Sequence, residues 1–455
     1  MAHSHEKELF GTDGIRGVAG EPPLDSDTVF AVGFCLGQSL PPKGSARCVV
    51  LGEDTRESSR WIAETVAAGL QEAGIEVVSA GVITTPGLAF LTASEGCAAG
   101  VMISASHNLY RDNGIKVFAS TGFKLPDEEE RTITREISRM LGSSAGPRPS
   151  RFPLQPDPAW VRKYVEFLRR AAGSSWSLPG GRLVVDCANG SASAMAQGVF
   201  ADYGLAVQTV ADQPNGRNIN WRCGSLHLES LQQAVLQAKA NLGVALDGDA
   251  DRALFVAGNG QIVNGDGILW AASRSMRDRG TLTGGAVVGT VMSNLGLELA
   301  LAREGLKLLR TPVGDKYVLD EMLRSRVNLG GEPSGHIIFR DLATTGDGLL
   351  TALQVLRLLA EHHSSLEQLV DGLEVFPQTI LNVRVRERPP LESLPRVQEQ
   401  IEAGQKRLGA SGRVLVRYSG TEPLARVMVE AASAEEVERV AAAIAHSLEE
   451  SLGIG

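Results

Sequence analysis

Aromatic side chains are scarce in this chain, at 5% of 455 residues. Its interiors must therefore be filled by aliphatic side chains. A hydrophobic fraction of 43% against 21% charged residues supplies them and excludes a disordered polymer. The length suits about two to five domains of roughly 100–200 residues. Only five cysteines occur, Cys35, Cys48, Cys97, Cys187 and Cys223, widely scattered and without a CxxC, which argues against a disulfide framework or a zinc knuckle. They read as those of a reduced, cytoplasmic protein. No apolar run approaches the ~20 residues that span a bilayer, and the opening MAHSHEKELF lacks the apolar core of a signal peptide. Positive charge is not in excess. A formal net charge of −9 excludes bulk attraction to nucleic acid or an anionic membrane, so an anionic ligand would need a local basic pocket. The GxGxxG and GxxxxGK[ST] phosphate loops and the GxSxG nucleophile elbow are also missing.

Glycine, in contrast, is abundant, with 51 residues, as expected of a chain with many tight βα turns. A strand–turn–helix–strand unit recurs from Arg47 (RCVVLGEDTRESSRW…), from Gly181 (GRLVVDCANGSASAM…) and from Gly285 (GAVVGTVMSNLGLEL…). Each copy reads as a βαβ unit of a mostly parallel sheet. Three copies favour three similar α/β domains over one large sheet. Breaks fall at the Pro/Ser/Gly-rich 142–158 stretch, after Val256, where Asn259-Gly260 signals a hairpin turn, and near Asp371-Gly372. The expected domains are 1–150, 159–256, 257–370 and a smaller, C-terminal α+β domain at 372–455. The last opens on the strand QTILNVRVRE and closes with an amphipathic helix capped by Ser433.

Five segments carry chemistry. In ALDGDADRALFV, Asp247, Asp249 and Asp251 alternate with small residues straight after an apolar run, and Arg252 follows. An acidic surface turn could look the same. Packed carboxylates repel one another unless a cation is bound, however, and strand ends are where α/β sites lie. The pattern favours a hard cation such as Mg²⁺. Neutralising one carboxylate, as in Asp249→Asn, should relieve repulsion in the metal-free protein. In ISASHNLYRDNGIKVF, a strand runs into Ser104, Ser106 and His107, with Lys116 beyond. Either serine could be a nucleophile, since in an extended segment both share a face, and a polar turn with a satisfied histidine is an equal reading. RYSGTEPLAR offers Arg417, Ser419, Gly420 and Thr421 as a phosphate cradle or a generic turn. GGEPSGH sets Glu332, Ser334 and His336 between glycines, able to hydrogen-bond sugar hydroxyls, and FGTDGIRG places Arg16 in a glycine-rich loop.

Taken in order and over nearly the whole chain, these segments resemble the α-D-phosphohexomutase superfamily. LFGTDGIRG, NIN…CGS from Asn218, TVMSNLGLELAL, VGDKYVL, TTGDG and RVLVRYSGTEPLARVMVE resemble most the bacterial phosphoglucosamine mutases within it. The resemblance implies three related α/β domains and a C-terminal domain around a central cleft. It implies interconversion of glucosamine 6-phosphate and glucosamine 1-phosphate through a phosphoserine and a 1,6-bisphosphate, feeding UDP-N-acetylglucosamine synthesis. Ser106 would be the phosphoserine, with Mg²⁺ held by Asp247, Asp249, Asp251 and the Ser106 phosphate. Lys116, His107 and His336 would be the acid/base groups, with Arg252 beside the metal. Arg16, Glu332 and Ser334 would meet the sugar, and Arg417, Ser419, Gly420 and Thr421 the non-reacting phosphate. A homodimer is compatible with the resemblance. The motifs depart from the family pattern at Leu109, usually proline, and at Pro333. The alternatives are a phosphoglucomutase or phosphomannomutase of the same superfamily, or a Mg²⁺-dependent sugar-phosphate phosphatase.

Overall fold

The computed structural model describes residues 9–40, 48–143, 147–419 and 423–453. The chain divides into two compact units: Met1–Val291 with Leu309–Asp371, and Met292–Leu308 with Gly372–Gly455.

The first βαβ repeat forms the strand Cys48–Glu53, the helix Ser59–Glu72 and the strand Glu76–Val82. The two strands pair in parallel, and Ala99–Ile103 joins the other edge of Cys48–Glu53, also in parallel. The chain then turns back, so Asp112–Ala119 runs antiparallel to Ala99–Ile103. Ile15–Val18 closes that edge antiparallel. The second repeat has the same plan. Ala206–Val210, Arg182–Asp186 and Leu242–Leu246 are parallel neighbours, followed by antiparallel Ala253–Ala257 and Ile262–Val263. The third sheet is ordered Lys307–Thr311, Ala286–Thr290, Leu329–Gly331, Ile337–Phe339, and again its last strand is antiparallel. Three sheets thus share one order: second strand, first, third, fourth. The middle strands are buried almost throughout, which is why they read as unbroken Val/Ala/Leu runs rather than alternating patterns. The Asn259-Gly260 turn forms as the spacing indicates, with the Ala257 N–H donating to the Gln261 carbonyl.

The C-terminal segment is built differently. Gln378–Arg384, Leu424–Ala431 and Gly412–Tyr418 form an antiparallel three-stranded sheet with Leu424–Ala431 in the centre. The helices Pro395–Leu408 and Ala434–Leu452 pack on it over Val397, Val427, Val440, Ile444 and Leu448. Ser433 caps the last helix by accepting from the Glu436 N–H.

In the first domain, helix Ser26–Ser39 lies close against helix Ser59–Glu72. A methyl group at Gly33 would sit 2.1 Å from the Val66 carbonyl oxygen, a backbone atom that cannot turn aside. Gly33→Ala should therefore push the helices apart and cost about 1–3 kcal/mol. Gly198→Ala, in a helix with open space around it, should be neutral or stabilising by up to about 1 kcal/mol. Thermal unfolding of the two variants beside the parent checks the contrast.

Candidate active site

The shared sheet order gives the motifs a common address. Ser104–His107 lies in the turn between the third and fourth strands of the first sheet, and Asp247–Arg252 in the same turn of the second. Glu332–His336 fills that turn of the third. In each case a buried parallel strand ends, the chain reverses, and the polar residues fall at the carboxyl end of the sheet.

At the first turn Ser106 takes a left-handed backbone conformation, φ 51°. That kink separates the two serines which spacing alone left equivalent. Ser104 stays wholly buried and its Oγ accepts from the Ser106 N–H at 2.9 Å. The Ser106 hydroxyl instead donates to Asp247 Oδ2 at 2.6 Å and lies 3.2 Å from His107 Nδ1. Burial, with Arg252 and Arg16 nearby, pushes the His107 pKa down to about 4, so its ring is neutral at pH 7.

Asp247, Asp249 and Asp251 come together as buried residues whose oxygens all lie within 4.8 Å of one another. Burial and the neighbouring Asp251 and Asp249 hold the Asp247 carboxyl well above the usual range. Lys116 reaches into the cluster, with Nζ 2.8 Å from Asp249, 3.2 Å from Asp13 and 3.7 Å from Asp251. Burial disfavours its charge, but these three carboxylates outweigh that and hold the ammonium above the ordinary lysine range. Among the described residues, buried Asp249 Oδ1 and Asp251 Oδ1 find no hydrogen-bond partner. Two carboxylate oxygens without hydrogen bonds, beside a third carboxylate, fit a divalent cation with oxygen ligands. Gly248 allows this approach, since a Cβ there would stand 2.6 Å from the Ser106 carbonyl oxygen.

The third turn contributes His336, with Nδ1 3.7 Å from Asp251, while Nε2 accepts from the Gly346 N–H at 3.0 Å. That N–H leaves the ring proton on Nδ1, facing Asp251. Glu332 accepts from the Gly314 N–H at 3.0 Å and from the Ser334 hydroxyl at 3.4 Å. Arg16 donates to the Ala105 carbonyl at 2.9 Å and pairs with Asp13. Arg16, His107, Asp251, Arg252, Glu332 and His336 line one cleft of about 480 Å³. All three carboxylates, both histidines, Lys116, Arg16, Arg252, Glu332 and Ser334 therefore belong to one neighbourhood.

Arg417 lies one residue from the end of the strand Gly412–Tyr418, directly opposite Arg426 on the neighbouring strand. Burial and Arg426 lower its pKa. Ser419 follows as a buried residue. Gly420 and Thr421 lie outside the described residues. Arg426 was not singled out in the sequence; only the register of the two strands sets it opposite Arg417. Asp13 and Lys124 were missed too. Lys124 bridges Asp13 and Asp315 at 2.7 and 2.6 Å, and only the third dimension reveals that chain of charges.

The Asp249–Lys116 pair revises the expected effect of neutralisation. Asp249→Asn would strip a buried ammonium of its nearest partner, so repulsion is relieved at Asp247 instead. In chelator, Asp247→Asn should raise the melting temperature and Asp249→Asn lower it. Calorimetry without and with added Mg²⁺ checks this, and both variants should lose most of the stabilisation that the ion brings.

The comparisons with known proteins agree with this geometry. Models for phosphoglucomutase/phosphomannomutase domains match in succession: alpha/beta/alpha domain I over residues 7–141, domain II over 162–260, domain III over 264–376 and the C-terminal domain over 380–447. A phosphoglucosamine mutase of Solibacter usitatus is 51% identical over 447 residues, covering 98% of this chain and 99% of its own. One of Koribacter versatilis is 50% identical over 461 residues, covering 98% of each. Among solved structures, a phosphoglucomutase/phosphomannomutase family protein of Burkholderia thailandensis superimposes with a TM-score of 0.80 at 24% identity, covering 98% of this chain and 97% of that one. An N-acetylphosphoglucosamine mutase of Aspergillus fumigatus, in complex with GlcNAc-6P and magnesium, does so with 0.69 at 21%, covering 99% and 97%. These two likenesses concern the fold.

Proposed function

We infer the mechanism from the premise that this chain belongs to the phosphoglucosamine mutase family. It is a phosphohexomutase that interconverts glucosamine 6-phosphate and glucosamine 1-phosphate. The observation that carries the reading of the site is the Ser106 hydroxyl, held at 2.6 Å from the carboxylate cluster in a left-handed turn.

Ser106 is the residue that carries the phosphoryl group. In the first half-reaction the sugar O1 attacks the phosphorus on Ser106. The O1–P bond forms, the Oγ–P bond breaks, the O1 proton passes to a base, and the departing Oγ takes up a proton to restore the serine hydroxyl. The resulting 1,6-bisphosphate turns end for end. Ser106 Oγ then takes the phosphoryl group from O6, the Oγ–P bond forms as the O6–P bond breaks, and O6 is protonated. Lys116, His107 and His336 are the proton carriers in reach. His107 is neutral and within 3.2 Å of Ser106 Oγ, which suits it to receive the serine proton.

Asp247, Asp249 and Asp251 would hold Mg²⁺, which when bound supplies positive charge to a phosphoryl group in flight. Arg252 and Arg16 add fixed positive charge along the cleft, while Glu332 and Ser334 accept from and donate to sugar hydroxyls. The phosphate that is not being transferred is assigned to Arg417, Ser419, Gly420 and Thr421, with Arg426 added for its place opposite Arg417. The four-way division at 1–150, 159–256, 257–370 and 372–455 belongs to this reading, each part bearing one loop. The setting is the cytoplasm, which suits five free cysteines. No helix among the described residues is long and apolar enough to cross a membrane.

Phosphopeptide mapping of the purified protein should find phosphate on Ser106 and none on Ser104. Ser106→Ala should abolish mutase turnover, whereas retained phosphate release would point to a phosphatase. Glucosamine 6-phosphate should show the highest kcat/KM among glucosamine, glucose and mannose phosphates. A second prediction concerns the cradle. Arg417→Lys keeps the charge but loses the guanidinium fork, so KM should rise, kcat fall and free bisphosphate accumulate, as followed by ³¹P NMR.

A further inference from the structure

The Ser106 turn is held from outside by two segments to which the reaction assigns nothing, Asp54-Thr55-Arg56 and the Asn218–Ser225 stretch. Arg56 is buried. Its Nε donates to Asp54 at 2.8 Å, and Nη2 donates to the carbonyls of Ser106 at 3.0 Å and Asn108 at 2.8 Å. Nη1 donates to the carbonyl of Leu109. Asp54 is itself fixed by the Arg56 N–H and the Ser59 hydroxyl. Asn220, equally buried, comes from the second domain with φ 57°. Its Nδ2 donates to the Ser106 carbonyl at 2.8 Å and to the Asn108 carbonyl at 2.9 Å. The carbonyls of Ser106 and Asn108 are thus each held twice, once from each domain.

We propose that Arg56 and Asn220 are positioning residues for phosphoryl transfer, acting as a clamp on the carbonyls of Ser106, Asn108 and Leu109 that keeps the serine in its left-handed turn. The proposal rests on Ser106 being the phosphoryl carrier. A left-handed conformation at a residue with a side chain costs about 1 kcal/mol or more and persists only where its surroundings impose it. Released, the turn would relax toward extended backbone, and alternation would swing Oγ away from Asp247. A planar guanidinium can serve Asp54 and three carbonyls at once, and an ammonium with three donors cannot. Because Asn220 belongs to the second domain, the serine on one domain and the carboxylates on the next are registered through the same two carbonyls.

The test compares Arg56→Lys and Asn220→Ala with the parent. Arg56→Lys keeps the buried charge beside Asp54. Asn220→Ala removes only a neutral side chain, and carries the test if the lysine variant does not fold. Displacing a reacting atom by about 1 Å costs roughly a hundredfold in rate. kcat for glucosamine 6-phosphate should therefore fall by about that factor in Arg56→Lys and less in Asn220→Ala, with little change in KM. Single-turnover transfer from ³²P-labelled Ser106 should slow in parallel. Backbone amides at 106–112 should exchange hydrogen faster in both variants, while amides of the Leu242–Leu246 strand stay as protected as in the parent. Unchanged kcat, a loss lying wholly in KM, or unchanged exchange at 106–112 would each overturn the clamp. Turnover by Ser106→Ala would instead bring down the phosphoserine reading, and the catalytic half of the proposal with it, a result that the exchange data keep separate.

Discussion

Buried negative charge is the constraint around which the larger unit is organised. Asp247, Asp249 and Asp251 lie buried close together, with half-buried Asp13 beside them, and desolvating any one of the three alone would cost several kcal/mol. The chain answers partly with its own cations. Lys116 touches three of these carboxylates, and Lys124 ties Asp13 to Asp315. The balance is deliberately incomplete in physical terms, because two buried carboxylate oxygens keep no hydrogen-bond partner among the described residues. The cluster fits a divalent cation, which would draw on the same electrostatics that hold the fold together.

The repeated sheet order turns that local chemistry into a site. One turn, between a buried third strand and an antiparallel fourth, recurs three times and bears serine, aspartates and the glutamate–histidine loop in turn. Each domain needs to supply only a short loop, while the rigid strand beneath it fixes the position. This is economical for phosphoryl transfer, which depends on placement and charge neutralisation more than on new covalent chemistry. In the mechanism proposed, one serine serves two successive transfers, so the acceptor oxygen must change while the serine stays still; the hydrogen bonds from Arg56 and Asn220 hold the backbone around Ser106 for that role.

Departures from the family pattern take on meaning when set against contacts. Leu109 in place of proline suggests a looser loop when only the sequence is read, yet Arg56 holds its carbonyl. The expected relief of repulsion from Asp249→Asn moves to Asp247 for a similar reason, since Asp249 is the partner of a buried lysine. In both cases the contact comes from far away in sequence, 53 residues for Arg56 and Leu109 and 133 for Lys116 and Asp249.

Much was legible in the residues by themselves. Periodicity and turn residues marked the βαβ repeats and the helix capped by Ser433, because backbone geometry and local hydrogen bonds impose those patterns within a few residues. The alternating aspartates pointed to a cation, since close carboxylates have few other uses. What tertiary structure decided were the choices that local chemistry leaves degenerate. Ser104 and Ser106 are equivalent by spacing, and only a left-handed kink, imposed by groups from two domains, turns one toward the aspartates and leaves the other bonded to backbone. Asp13, Lys124, Asn220 and Arg426 carry no local signal, because a charge or an amide acquires its role from the partner it meets. Those partners are set by how strands from different parts of the chain come to share a sheet or a cleft.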